Sequence, residues 1–274
     1  MITFPNAKIN LGLNIVERRA DGYHNLETVF YPIPLTDVLE IVPAAGDDST
    51  LTCYGNAVDC PVESNLVMRA YRLLQREYAV PSVDIFLYKH IPDGAGLGGG
   101  SSDAAHTLTM LNAMFELGLS PERLAQLAAT LGADCPFFIY NRPMQATGIG
   151  DVLTPVEVAL SGMTLVLVKP PVSVPTKQAY AHVTPQAPAL LARDVVKQPI
   201  PMWDGALKND FEPSVFGEHP RLWLIKAALL DAGAQYAAMS GSGSAIFGIF
   251  DSANLAEDIA DTMADCAVHV MTLP

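Results

Sequence analysis

Pro92-Asp93-Gly94-Ala95-Gly96-Leu97-Gly98-Gly99-Gly100-Ser101-Ser102-Asp103-Ala104-Ala105 is the most informative stretch of this chain. It lies between residues 83–88, which have strand character, and residues 102–115, where Ala104, Leu108, Leu111 and Phe115 recur at helical spacing. Five of the seven residues from 94 to 100 are glycine. Glycine removes the Cβ where a backbone must curl round a bound group, and N–H groups leading into a helix N-terminus form a cradle for an anion. The two familiar phosphate loops read differently. A GxxxxGK[ST] loop needs a lysine before its hydroxyl residue, whereas Ser101-Ser102-Asp103 follows the glycines here. The GxGxxG fingerprint belongs in a βαβ unit with an acidic residue about 20 positions on. Taken by itself, the loop leaves a flexible glycine turn as the competing reading.

Upstream, Ile9, Leu11, Leu13 and Ile15 alternate along a strand that ends at Glu17-Arg18-Arg19. Residues 28–33 and 37–42 read as further strands punctuated by Pro32, Pro34 and Pro43, and residues 65–78 as a helix. Downstream, Ser120 as N-cap and Pro121 at the first position open a helix that stops at Gly132. Residues 164–168 read as a strand. Residues 170–201 hold seven of the 21 prolines and read as a surface excursion or flap. Then come a helix at 221–232, strands at 235–239 and 245–250, a helix at 255–263 and a strand at 267–271. Strands and helices mix without strict βαβ alternation, which argues for α+β with two layers in each half.

The 274 residues, half of them hydrophobic and 16% charged, are enough to bury a substantial core. The formal net charge is −13 and both halves are acidic, which speaks against a nucleic-acid surface. An anionic small molecule remains compatible, since a helix N-terminus and a few placed cations can hold phosphate. Cys53, Cys60, Cys135 and Cys266 form neither a CxxC pair nor a zinc spacing and read as reduced thiols. No secretory signal and no run of membrane-spanning length is visible, so the expectation is a soluble cytoplasmic protein without membrane partners.

The loop resembles the second motif of the GHMP kinase superfamily, Pro-x-x-x-Gly-Leu-Gly followed by Ser and Ala. Pro5-Asn6-Ala7-Lys8-Ile9-Asn10-Leu11 resembles that family's first motif, and Met239-Ser240-Gly241-Ser242-Gly243-Ser244 its third. The extra Gly99-Gly100 before the serines departs from many members. Four further stretches resemble one branch, whose acceptor is a cytidine diphosphate ester of methylerythritol: 19–26, 98–105, 132–138 and Asn209-Asp210-Phe211-Glu212. The resemblance implies a two-domain α+β architecture. An N-terminal ATP-binding domain over 1–154 would be ribosomal-protein-S5-like, and a C-terminal domain over 155–274 ferredoxin-like.

It further implies ATP as co-substrate, Mg²⁺, and a cradle made by Pro92, Asp93, Gly94, Ala95, Gly96, Leu97, Gly98, Gly99, Gly100, Ser101 and Ser102. Asn65, Leu66 and Lys89 would surround the base, although for Lys89 alone a solvated surface residue is at least an equal reading. Asp134 and Lys8 would be the catalytic pair, the carboxylate taking or orienting the hydroxyl proton and the ammonium keeping it ionised. Asn10, Tyr23, His24, Thr176 and Tyr180 would bind the acceptor, with Tyr23 and Tyr180 on the two faces of the cytosine. No metal ligand and no oligomeric state is assigned. The alternatives are a sister kinase for homoserine, mevalonate or a sugar, and a non-catalytic ATP-binding regulator on the same fold.

Overall fold

The computed structural model describes residues 1–56, 60–252 and 263–274. In chain order its strands are β1 (Ile2–Thr3), β2 (Asn6–Arg18), β3 (His24–Thr36), β4 (Val38–Pro43), β5 (Thr50–Gly55), β6 (Val83–Lys89), β7 (Met144–Thr147), β8 (Val152–Pro155), β9 (Thr164–Lys169), β10 (Tyr236–Met239), β11 (Ile246–Phe250) and β12 (Ala267–Thr272). The α-helices are α1 (Leu66–Tyr78), α2 (Gly99–Met114), α3 (Pro121–Ala129), α4 (Cys135–Tyr140), α5 (Thr176–Ala181), α6 (Ala192–Val195), α7 (Glu212–Glu218) and α8 (Pro220–Asp231). The chain divides into two compact units that interleave along the sequence. One holds Met1–Ala7, Leu35–Asp93 and Gly98–Arg142; the other holds Lys8–Pro34, Gly94–Leu97 and Pro143–Pro274. The architecture is α+β throughout.

In the first unit the sheet order is β1-β4-β6-β5, with β5 parallel to β6 and the other pairs antiparallel. Leu39, Ile41, Ile85 and Leu87 from the sheet form one core with Met68, Tyr71 and Leu74 of α1 and Leu108 and Leu111 of α2. The Asn65 side chain caps α1 by accepting from Val67 N at 2.9 Å, and α1 ends where Ala79 turns to φ +51°. Helix α2 begins at Gly99, three residues before the predicted start. Glycine is a poor helix former, but a Cβ at Gly99 would lie 3.0 Å from Ile91 Cγ2 and 3.3 Å from Lys89 Nζ, so close packing demands it. Ser120 caps α3 and Pro121 opens it, as expected.

The second unit contains the sheets β2-β3-β7-β8 and β10-β11-β9-β12. Strand β3 runs unbroken through Pro32 and Pro34, which the sequence reading took as punctuation. They lie past Phe30↔Met144, the last β3–β7 pair, where no ladder N–H is required of them on that side. In the last sheet β9 lies between antiparallel β11 and β12, and Val166, Val168, Ile246 and Phe250 pack with Ile225 and Leu229 of α8.

Residues 170–201 are not a loose flap. They carry α5, α6 and a 3₁₀ turn at Ile200–Met202, and bury Val174, Ala179, Ala192, Val195, Val196 and Ile200. Their prolines mislead because Pro175 and Pro199 stand immediately before helical turns, where a missing N–H costs nothing. The buried Glu27 carboxylate also accepts from Ala192 N (3.1 Å), Asn14 Nδ2 (2.9 Å) and Gln145 Nε2 (3.1 Å), tying α6 to β2, β3 and β7. The helix expected at 255–263 falls outside the described residues except for Met263, which is buried. No helix among the described residues is long and apolar enough to cross a membrane.

Candidate active site

The glycine loop passes from one unit to the other and is built differently on each side. In the unit holding Gly94–Leu97, Gly96 has φ +76°, and a Cβ there would lie 2.0 Å from Ser240 O. Only glycine permits that approach. The Gly96 carbonyl accepts from Ser240 Oγ (2.9 Å) and Lys8 Nζ (3.1 Å), while Ala95 O accepts from Ala245 N (3.2 Å) and Leu97 O from Lys8 N (2.9 Å). All three motifs read from the sequence thus meet at one backbone junction. Lys8 also donates to Asn10 Oδ1 at 2.6 Å and lies over the Phe30 ring, and Asn10 Nδ2 donates to Thr28 Oγ1 at 3.0 Å. Lys8 and Asn10 are both buried, so β2 is apolar on one face and carries this polar row on the other.

Asn209 and Glu212, quoted above for resemblance without a role, splint the third motif. Asn209 Nδ2 donates to Met239 O and Gly241 O, both at 2.8 Å; Glu212 Oε1 accepts from Met239 N at 2.8 Å and Oε2 from Lys226 Nζ at 2.6 Å. Asp210 Oδ2 accepts from Ile15 N at 2.7 Å, and burial raises its carboxyl above the usual range. Nothing local in the sequence marked Asn209 as a splint, because its partners lie 30 and 32 positions away.

Of the predicted acceptor residues, His24 and Tyr180 are brought together, their rings stacked at 4.9 Å with 22° between planes. Tyr180 meets Phe211 edge-on at 4.8 Å. Tyr23 is exposed, and Thr176 Oγ1 lies 3.2 Å from Ser242 Oγ of the third motif. The ring stacked on Tyr180 is thus that of His24. The α5 helix explains this, since it seats Tyr180 against the core as a partly buried residue.

In the other unit, Gly98 (φ +71°) turns the loop into α2, with Ser102 N donating to Gly98 O at 2.9 Å, and Pro92 and Asp93 follow β6. A glycine-lined turn running into a 16-residue helix suits the phosphates of a nucleotide. Gly100 adjoins Leu66 Cδ1 at the start of α1, next to the capping Asn65. Lys89 is buried, contrary to a surface reading. Its ammonium donates to Asp103 Oδ2 at 2.6 Å and to Asp37 Oδ2, and Asp37 Oδ1 accepts from His90 N (2.6 Å) and Ile91 N (2.8 Å). Burial opposes the charge on Lys89, but the two carboxylates outweigh it and hold the ammonium above its ordinary pKa. Asp37 was missed in the sequence because it stands between strands with no motif around it.

Asp134 occupies the position before α4, and its side chain makes no capping hydrogen bond to that helix. Its neighbour Cys135 is buried with its thiol pushed up to about 11, chiefly by burial, so it is an inert core residue. Among the described residues no group of three or more His, Cys, Asp or Glu side chains gathers to hold a metal.

Two family models match the chain, GHMP kinases N terminal domain over residues 65–142 and GHMP kinases C terminal over 191–269. The chain belongs to the GHMP kinases. Among curated relatives, the 4-diphosphocytidyl-2-C-methyl-D-erythritol kinase of Bacteroides fragilis is 53% identical over 252 residues, 91% of this chain and 92% of that one. The enzyme of the same name from Porphyromonas gingivalis is 51% identical over 254 residues, 91% and 92% of the two chains. A crystal structure of 4-(cytidine 5'-diphospho)-2C-methyl-D-erythritol kinase superposes with TM-score 0.83 at 34% identity over the full length of both chains. The Methanococcus jannaschii mevalonate kinase, at TM-score 0.74 and 12% identity over 100% of this chain and 98% of that one, shares the fold. This chain is thus a GHMP-type kinase, a family whose members act on small molecules.

Proposed function

We propose that the chain transfers the γ-phosphoryl group of ATP to the 2-hydroxyl of 4-diphosphocytidyl-2-C-methyl-D-erythritol, in the non-mevalonate route to isoprenoid precursors. The observation that carries this reading is the 53% identity, over nine-tenths of both chains, with a relative bearing that kinase's name. Phosphoryl transfer asks the protein mainly for positioning and electrostatics. The glycine cradle from Pro92 to Ser102 receives the phosphates, with Asn65 and Leu66 at the base end and Lys89 holding its edge from below. Mg²⁺ bound to the nucleotide supplies neutralisation of phosphate charge.

Asp134 accepts or orients the acceptor's hydroxyl proton, and Lys8 is its cationic counterpart. Because a loose transition state needs little early deprotonation, orientation is the larger share of Asp134's work. Lys8 is pre-positioned by Asn10 and Gly96, which supports its assignment to the chemistry rather than to a solvated surface. Tyr180, His24 and Tyr23 bind the cytosine, Asn10 and Thr176 the rest of the acceptor. The test is ADP release by purified protein with ATP and a panel of acceptors. Turnover of the cytidine diphosphate ester, with none of homoserine or mevalonate, is the expected result. Turnover of either of those with the ester untouched refutes the assignment.

A further inference from the structure

The Lys89 cluster holds two carboxylates and one ammonium, all buried, directly under the first turn of α2. With both carboxylates ionised it carries a net negative charge where the proposed cradle must attract phosphate. The two acids are not equivalent. Asp37 accepts three hydrogen bonds, from Lys89 Nζ, His90 N and Ile91 N. Among the described residues Asp103 accepts only that of Lys89 Nζ at Oδ2, and its buried Oδ1 finds no hydrogen-bond partner. An ionised oxygen without a donor is the costlier of the two to keep buried, so a proton taken up by the cluster goes to Asp103.

We propose that Asp103 is a positioning residue of the nucleotide site, which acts through the Lys89 ammonium to tune the anion affinity of the cradle and takes up a proton when a nucleotide polyphosphate binds there. This rests on the ATP-dependent reading above. Burial pushes the Asp103 carboxyl up to about 7, with Lys89 opposing and Asp37 adding to the rise. Near neutrality the free protein is therefore a mixture of the two forms, and an anion above the cluster favours the protonated one. Linkage is reciprocal, so protonation strengthens binding by the factor by which binding favours protonation.

The other titratable groups about Asp103 are Lys89 on β6, Asp37 between β3 and β4, Cys53 on β5 and His106 farther along α2. On α1 and α4, which flank α2, Arg69 and Cys135 act on each other. Burial lowers the His106 pKa and outweighs the opposing hydrogen bond of its Nδ1 with Ser102 O at 2.9 Å, so the imidazole favours its neutral form. One unit charge at roughly 10 Å and an effective dielectric of about 20 changes anion affinity about tenfold.

Calorimetric titration of the full chain with Mg-ATP, without acceptor, in buffers of different ionisation enthalpy measures the proton uptake. Wild type should take up about half a proton at pH 7 and lose about tenfold in affinity between pH 6 and 8.5. Asp103→Asn should show no uptake and a flat profile, whereas His106→Gln should behave as wild type. Binding by wild type without proton uptake, or uptake that survives in Asp103→Asn or vanishes in His106→Gln, overturns the inference. If Asp103→Asn does not fold, the wild-type chain decides, since nucleotide binding without proton uptake anywhere between pH 6 and 8.5 overturns it. A wild-type chain that binds no nucleotide overturns the kinase reading and this inference together.

Discussion

Replacing Gly96 by alanine places a methyl group where the backbone of the third motif already lies. The new Cβ would be 2.0 Å from Ser240 O and 2.8 Å from Ser240 C, at φ +76°. The left-handed backbone alone costs about 1–2 kcal/mol for a residue with a Cβ. To reach ordinary contact, Ser240 O must retreat by more than about 1 Å, a distance at which hydrogen bonds fail. That oxygen accepts from Gly243 N at 2.9 Å, and the Gly96 carbonyl accepts from Ser240 Oγ and Lys8 Nζ, so two or three bonds are at stake. At about 1 kcal/mol each, the total loss is about 4 kcal/mol. For a protein of this size that lowers Tm by about 10 °C. Calorimetry measures the loss, and the ATP KM should rise because the loop has moved. Gly217→Ala is the control: it lies in α7 with nothing within 4 Å of the new Cβ and no positive φ, so it should gain about 0.5 kcal/mol with unchanged kinetics. A Gly96→Ala protein that melts within about 1 °C of wild type, with unchanged ATP KM, refutes the reasoning.

Asp134→Asn keeps the shape and removes the charge, and should lower kcat by about 10²-fold or more with little change in ATP KM; near-normal kcat returns Asp134 to a local structural role. Lys8→Met should behave similarly, and the double variant should be far less impaired than the product of the single effects; independent effects would separate the two residues. Tyr180→Ala removes the His24 stack and the Phe211 edge contact and should raise acceptor KM about 5- to 150-fold at constant ATP KM, with Tyr180→Phe nearly silent; equal loss towards both substrates rejects the cytosine assignment. Asn209→Ala strands the carbonyls of Met239 and Gly241 and should cost about 2–4 kcal/mol in denaturant unfolding, and a loss below about 0.5 kcal/mol would show that the splint is dispensable.

Local features of the sequence sufficed for the capped helices α1 and α3, for the buried alternation of β2 and for the glycine loop, because each depends on residues within a turn or two of one another. Asn65 and Ser120 accept from N–H groups two and three positions away, and Pro121 stands at a first helical position where no N–H is needed. Composition misled at residues 170–201, where proline density masked short helices whose apolar faces are visible only against their packing partners.

By itself the sequence determined the family, through three motifs in order, and the α+β class, through its mixed periodicities. Tertiary structure alone decided what the polar side chains do. Lys89 reads as a surface cation until Asp37 and Asp103, 52 and 14 positions away, close on it. Asn209 is one more polar residue until Met239 and Gly241 present their carbonyls, and Glu27 becomes an anchor only when Asn14, Gln145 and Ala192 converge on it. The physical reason is that a buried charge or amide must find donors or acceptors wherever the fold brings them. Periodicity and capping report on neighbours along the chain, whereas the pairing of buried polar groups is settled by neighbours in space.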